Sequence, residues 1–283
     1  MFLIKKIFFI IFFFFIKGKI NFFYLYNRCI NNNLFYYKYH CDLYNEYEYG
    51  VSICITAFKS VKFIKKTLNS IANQTWFKNN KNYEIILGID GCNETLQYIK
   101  SIQNNYKNLI VIMMKKNKGT YITTNTIMTI SKYDHLIRFD SDDIMYPNLV
   151  EKVMIQNTKY DMVRFKMRNY YPVTKRKIVR EAIGQFMIKH WVFDYFGGFM
   201  PWKCGSDGEF KARITKFINV IYLKDVLFLR QIHPESLTQS KKTNFSSKER
   251  KKKLIYIKKK TKKIKTLNQA RINKIIFDFI EIN

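Results

Sequence analysis

The sequence predicts an α/β fold built on a mostly parallel mixed sheet flanked by helices, and three observations predict it. Short apolar runs alternate with segments of helical spacing from Val51 to Phe139, the pattern of βα units feeding a parallel sheet. Acids stand directly after two of those runs, Asp90 after the second and Asp140, Asp142 and Asp143 after the fourth. In such sheets the ligand sits outside the carboxyl ends of the strands. Finally, 283 residues, 47% of them apolar, suffice to bury a core.

The chain opens with Lys5 and Lys6, then runs apolar from Ile7 to Ile16 before Lys17, Gly18 and Lys19. A ten-residue helix spans about 15 Å, roughly half a bilayer core. A strict span would draw the two lysines inward, so an anchor or interfacial segment is expected on equal terms with a leader. Residues 20–48 show no sustained period and read as a lead-in. The expected organisation is 1–48 leader and linker, 49–238 the folded domain and 239–283 a basic helical tail.

Val51, Ile53, Cys54 and Ile55 form the first apolar run, followed by helical spacing through Val61, Ile64, Leu68 and Ile71. A second strand is expected over Glu84–Ile89, ending at Asp90-Gly91, with a helix over Glu94–Tyr106. A third, Leu109–Met114, leads to Asn117 and Gly119, then a helix near Tyr121–Ser131 and a fourth strand, His135–Phe139. Beyond Pro147 the spacing predicts a helix over Asn148–Gln156, a short strand Met162–Met167 and a less regular half through Gly205. The stretch from Lys241 to Lys274 interleaves Lys and Arg with Leu254, Ile255, Ile257, Ile264 and Leu267, as a basic amphipathic helix does.

Net charge is +29, from 50 Lys and Arg against 21 Asp and Glu. That favours polyanions in general, whether nucleic acid, anionic lipid or phosphorylated substrate, without choosing among them. The five cysteines show neither a CxxC pair nor zinc-like spacing and read as reduced thiols facing a cytosol.

Three carboxylates within four residues, Asp140-Ser141-Asp142-Asp143, repel one another unless a cation is bound, and hard divalent ions take such oxygen ligands. A metal there neutralises a departing diphosphate; the alternative is a polar turn opening the next helix.

The order of these pieces resembles family 2 glycosyltransferases of the GT-A fold, across about residues 50–238. Val51 to Phe58 is similar to the family's nucleotide-binding opening, with Thr56 in place and Phe58 where Tyr is usual. Gln74-Thr75 and Glu84 to Cys92 match further segments, with Ile89 replacing one Asp and Asp90 matching the Asp that holds the nucleobase. Asn117, Gly119 and Asn125 look like the turn and helix beside the diphosphate. The resemblance makes Asp140-Ser141-Asp142-Asp143 the DxD motif, with Asp142 near ribose or diphosphate and, with Asp143, the metal ligands for Mn2+ or Mg2+. Asp143 is the expected direct ligand.

By the same resemblance Asp207 is the general base, the carboxylate that an inverting sugar transfer needs opposite the leaving group, with Glu209 as its rival, although Ser206 replaces the usual Glu. Arg230 and His233, in a segment similar to Arg-x-His-x-x-Ser-x-Thr, reach toward donor phosphates. His40, His135 and His190 read as structural, and Trp202 as packing before sugar stacking. The implied partners are a nucleotide-sugar donor, UDP-sugar by default, and a glycan, lipid or protein acceptor. An anionic membrane surface suits the tail, and nucleic acid does not suit an acidic cleft.

Membrane association on the cytosolic side follows as the expected location, with a soluble cytoplasmic protein as the alternative. A degenerate domain scaffolding the basic tail is the rival function. A nucleotidyltransferase would need a Gly-rich loop that Thr56 to Lys62 lacks.

Overall fold

The computed structural model describes residues 47–156, 158–272 and 279–282. The expected leader therefore lies outside the described residues, as do His40, Cys29 and Cys41.

The first strand, β1 (Glu48–Ala57), is buried from Gly50 onward. It is central, paired on both edges, and its Ser52, Cys54 and Thr56 side is as buried as its Val51, Ile53 and Ile55 side. β2 (Tyr83–Ile89) and β4 (Tyr133–Asp140) lie parallel on either side of it, and β3 (Leu109–Met114) lies parallel outside β2. Between them run α1 (Ile64–Ala72), α2 (Trp76–Asn79), α3 (Asn93–Ile102) and α4 (Thr120–Ile130). The helix foreseen through Tyr106 stops at Ile102 and finishes as a single 3-10 turn. α1 buries Ile64, Leu68 and Ile71, the stripe its spacing dictates.

The second half continues the same sheet. β5 (Ile144–Met145) and α5 (Leu149–Met154) lead to β6 (Met162–Tyr171), β7 (Arg176–Glu181) and β8 (Phe186–Lys189). Next come α6 (His190–Phe196), α7 (Ser206–Ile214) and β9 (Val220–Gln231). The chain ends in α8 (Lys248–Lys263), α9 (Leu267–Ala270) and β10 (Phe279–Ile282). The strand order is β10-β3-β2-β1-β4-β8-β6-β9-β5, with β7 paired to β6. β8 runs antiparallel to both β4 and β6, so the parallel donor-side half passes into a mixed half at that strand. The region foreseen as irregular thus contains a hairpin, a strand and a helix.

Parallel register sets the site. Thr56 stands opposite both Gly88 and Asp140, so β1, β2 and β4 end level with one another and their acids emerge along one edge. β5 pairs antiparallel with β9, Ile144 opposite Leu229, which brings the Asp140–Asp143 turn beside Arg230 and Gln231.

Candidate active site

On the donor side, Thr56 Oγ1 shares a hydrogen bond with Thr120 Oγ1 at 2.8 Å, tying the end of β1 to the start of α4. Phe58, two residues on, is 47% exposed, so its ring face is open for stacking. Asp90, expected to hold the nucleobase, is engaged with the backbone of the next loop. Its two oxygens accept the backbone N–H groups of Lys118 and Gly119 at 2.8 and 2.9 Å, and the residue is buried. It fastens the loop carrying Asn117, which is itself exposed. Gly91 makes this approach possible. Its φ is +66°, and a Cβ there would lie 2.3 Å from the Asn117 nitrogen, which no side chain tolerates.

The acidic turn is held from beneath by α1. Thr67 Oγ1 lies 2.9 and 2.8 Å from the Ser141 and Asp143 carbonyls, and Ser60 Oγ meets Ser141 Oγ at 2.8 Å. Gln74 donates to the Tyr146 carbonyl and accepts from Val150 N–H. The Gln74-Thr75 pair therefore braces the chain just past the acids and touches no ligand position.

The three acids differ sharply. Asp140 pairs with Arg138 Nη2 at 2.8 Å and accepts from Gln185 Nε2 at 2.6 Å. Asp143 is buried, accepting from Gln231 N–H at 3.2 Å and from Gln185 Nε2 at 3.0 Å. Burial, with Asp142 and Asp140 beside it, pushes its carboxyl well above the ordinary range. Asp142 faces outward, and its Oδ2 lies 2.8 Å from His233 Nε2. The expectation that Asp143 is the direct metal ligand meets a turned-in carboxylate with both oxygens already engaged. Asp142 and His233 meet on the outward side of the same turn.

The His233 ring stacks on Phe63 with centroids 4.3 Å apart, and its Nδ1 is buried with no hydrogen-bond partner. One carboxylate oxygen and one imidazole nitrogen at a common point are donors that Mn2+ or Mg2+ accepts. Among the described residues no three His, Cys, Asp or Glu side chains gather as a metal cage. A cation held by this pair would need oxygens from its ligand, as is usual where a metal bridges protein to phosphate. Arg230 binds Thr238 Oγ1 at 2.7 Å from the strand end next to Asp142.

On the opposite side of the edge, Asp207 sits in the first turn of α7, nearly buried. Tyr121 OH donates to its Oδ1 at 2.8 Å. Burial and the Asp207 charge push the Tyr121 phenol well above its ordinary value, so it stays protonated and keeps donating. Arg138, also buried, lies 5.8 Å from the Tyr121 ring centre and donates to the Gly184 carbonyl at 2.9 Å. Asp140, Arg138, Tyr121 and Asp207 form one contiguous series of contacts.

The rival base, Glu209, is occupied: Arg213 Nε and Nη2 meet its two oxygens at 2.8 and 3.2 Å. Arg213 is fully buried and also donates to the carbonyls of Phe196, Gly198 and Ala270. Asn125, expected beside the diphosphate, instead clamps Phe199, donating to its carbonyl at 2.8 Å and accepting its N–H at 2.9 Å. Trp202 packs edge-on against Tyr256 and under Lys253. His135 and His190 are buried, as structural histidines are.

Gln185, Gln231 and Tyr121 hold the acids, and sequence reasoning gave them no role. Gln231 lies between Arg230 and His233, and that neighbourhood was its one sequence signal.

Comparison with known proteins now adds to this geometry. Residues 52–208 match the model of glycosyl transferase family 2. An uncharacterized glycosyltransferase of Haemophilus influenzae is 30% identical over 114 residues, 40% of this chain and 34% of that protein. The poly(ribitol-phosphate) beta-N-acetylglucosaminyltransferase TarP of Staphylococcus aureus is 32% identical over 106 residues, 36% of this chain and 31% of TarP. The chain thus spans about a third of the length of these curated relatives.

Among solved structures, S. aureus TarS 1-349 in complex with UDP-GlcNAc superposes with a TM-score of 0.57 at 18% identity, covering 66% of this chain and 60% of that one. The mannosyltransferase PcManGT from Pyrobaculum calidifontis, in complex with GDP-Man and Mn2+, gives 0.53 at 12% identity, covering 72% and 65%. These likenesses establish the GT-A fold. With more than half of its length matched by the family model, the chain belongs to glycosyl transferase family 2.

Proposed function

We propose that this chain is an inverting glycosyltransferase that moves a sugar from a nucleoside-diphosphate donor, a UDP-sugar first among them, to a hydroxyl of a glycan, lipid or protein. The observation that carries the reading is the meeting of Asp142 and His233, 91 residues apart in sequence, at 2.8 Å on the edge where the parallel strands end. Two relatives add support for the donor class, since TarS is described in complex with UDP-GlcNAc and PcManGT with GDP-Man and Mn2+.

Asp142 and His233 would hold Mn2+ or Mg2+, which when bound neutralises charge on the diphosphate as it leaves. Phe58 would stack on the base, and Arg230 would face the diphosphate. Asp207 would act as general base through Oδ2, because Oδ1 is taken by Tyr121. The acceptor oxygen gives its proton to that carboxylate, bonds to the anomeric carbon on one face, and the bond to the diphosphate breaks on the other. The rival, a degenerate scaffold, is not favoured: a scaffold has no use for an outward-facing acid and histidine at this edge.

The test is calorimetric binding of UDP and of GDP to the 283-residue chain with and without Mn2+, beside Asp142→Asn and His233→Ala. Metal-dependent binding of one nucleotide, lost in both variants, supports the reading. Metal-independent binding that the variants leave unchanged refutes the metal pair, and no binding of either nucleotide refutes the transferase reading.

A further inference from the structure

The helix α8 has two dissimilar sides. Ser247 caps it, accepting from Arg250 N–H, and Ile257 is buried near Gly208 of α7, its Cδ1 4.0 Å from where a Cβ on that glycine would lie. Tyr256 and Lys253 close over Trp202, so this side is committed to the domain.

At 3.6 residues per turn, Lys251, Lys252, Lys258, Lys259 and Lys262 fall within about 120° of arc opposite Ile257, with Ile255 at the centre. All five lysines are exposed. Ile255 is 55% exposed and its neighbour Leu254 is 49% exposed. The helix contains one acid, Glu249, and that one faces Lys253 at 3.5 Å, away from the lysine face.

We propose that this face of α8 docks on an anionic lipid surface. Two features select that occupant. An all-lysine arc with no acid is complementary to a sheet of negative headgroups. A large aliphatic side chain at the centre of such an arc is what an interfacial helix buries at the headgroup boundary, whereas a nucleic-acid backbone gives it nothing to enter. Lysines reach past the aliphatic centre because their stems lie along apolar surface while the charge stays in water.

The consequence for the site follows from α8 lying against α7, the helix whose first turn carries Asp207. Docking through α8 holds the acceptor side of the site beside the lipid surface, which favours acceptors carried on that surface. The docking itself stands without the transferase reading; its consequence for acceptors rests on that reading.

The test uses the whole chain with Cys29→Ser, Cys41→Ser and Ile255→Cys, labelled at position 255 with an environment-sensitive fluorophore. Vesicles of phosphatidylcholine with 30% phosphatidylserine should shift the emission to the blue. Phosphatidylcholine alone should not, and 0.5 M salt should reverse the shift. A lysine at an anionic surface is worth about fivefold in partitioning. Lys251→Gln, Lys252→Gln, Lys258→Gln and Lys259→Gln together should therefore weaken the response at least roughly a hundredfold, without changing the far-UV spectrum.

Reading the probe at position 255 reports on this face even where another segment binds the vesicle. No blue shift on anionic vesicles, or a shift of equal size on neutral ones, overturns the proposal. A response to RNA but not to lipid overturns it in favour of a nucleic-acid face.

Discussion

Two acids stand two residues apart in the first turn of α7, and under the proposed reading Asp207 is the base while Glu209, paired with Arg213, is structural. Asp207→Asn is nearly isosteric. The Tyr121 hydroxyl can still donate to the amide oxygen, so the loss is the difference between a charged and a neutral hydrogen bond, about 1 kcal/mol. Removing a general base, however, costs about 10²–10⁴ in rate.

Glu209→Gln leaves the buried Arg213 guanidinium without its counter-charge. Breaking one side of a buried pair costs about 3–5 kcal/mol, and the hydrogen-bonding amide puts this change near the lower end, about 3 kcal/mol. In a domain of this size that lowers Tm by roughly 6–12 °C, while turnover well below Tm stays within about threefold of the parent.

The assay pairs a thermal melt with the rate of UDP release from UDP-GlcNAc, water standing in as acceptor, measured at 15 °C for the parent and each variant. The expected pattern is a stable, inactive Asp207→Asn beside an active, heat-labile Glu209→Gln. The reverse pattern would move the base to Glu209 and refute the reasoning from the Arg213 contacts.

Other outcomes follow from the same contacts. Chelating divalent cations should abolish UDP binding, and Asp142→Asn and His233→Ala should be strongly non-additive in a double-variant cycle with Mn2+, because both lose one shared ligand. Asn125→Ala leaves the Phe199 N–H and carbonyl buried and unpaired, which should destabilise the fold by about 2–4 kcal/mol in a urea titration while sparing UDP affinity at low denaturant. Burial pushes the Cys54 thiol up to about 12. Iodoacetamide at pH 8 should therefore leave Cys54 unmodified in the native protein and alkylate it once urea unfolds the chain.

The donor-side half was legible because its signals are local. Strand period, helix stripe and the acids at strand ends lie within a few residues of one another, and β1 to β4 follow them closely. The acidic turn and Asp207 were likewise visible as local clusters of acids, and the structure sets both along the edge where the strands end. Roles within the turn were not legible. Whether Asp142 or Asp143 faces outward depends on Gln185, 42 residues beyond Asp143, and on Gln231, 88 residues beyond it, and no spacing rule reaches that far.

Asp90 and Asn125 show the same limit from the other side. Each occupies a motif position, yet the contact that fixes it is made to a backbone group of another segment, and backbone groups leave no trace in side-chain pattern. The basic tail read as a separate appendage because its charge dominates its composition. Ile257, Ile264 and Ala270 are buried, and with Tyr256 and Lys253 on Trp202 and Arg271 on the Tyr195 carbonyl they attach it to the domain.

These contacts join the two halves through opposite chemistry. The parallel half brings three carboxylates to one turn, an arrangement that like-charge repulsion and burial both oppose. Many of the donors that make it tolerable come from the mixed half: Gln185 at the start of β8, the Gln231 amide at the end of β9, and His233 just beyond. Arg138 is the contribution from within the parallel half, and it is itself anchored on the Gly184 carbonyl next to Gln185. The acidic turn can therefore reach its native geometry only after β8 and β9 have joined the sheet. A chain cut after Pro147 would keep β1 to β4 and most of their apolar core, yet hold Asp140, Asp142 and Asp143 with Arg138 as their main compensation. Such a fragment lacks the Gln185 and Gln231 donors that hold Asp143 in the whole chain, so its acidic turn should swing out to water, whereas Asp90 keeps its own donors from Lys118 and Gly119.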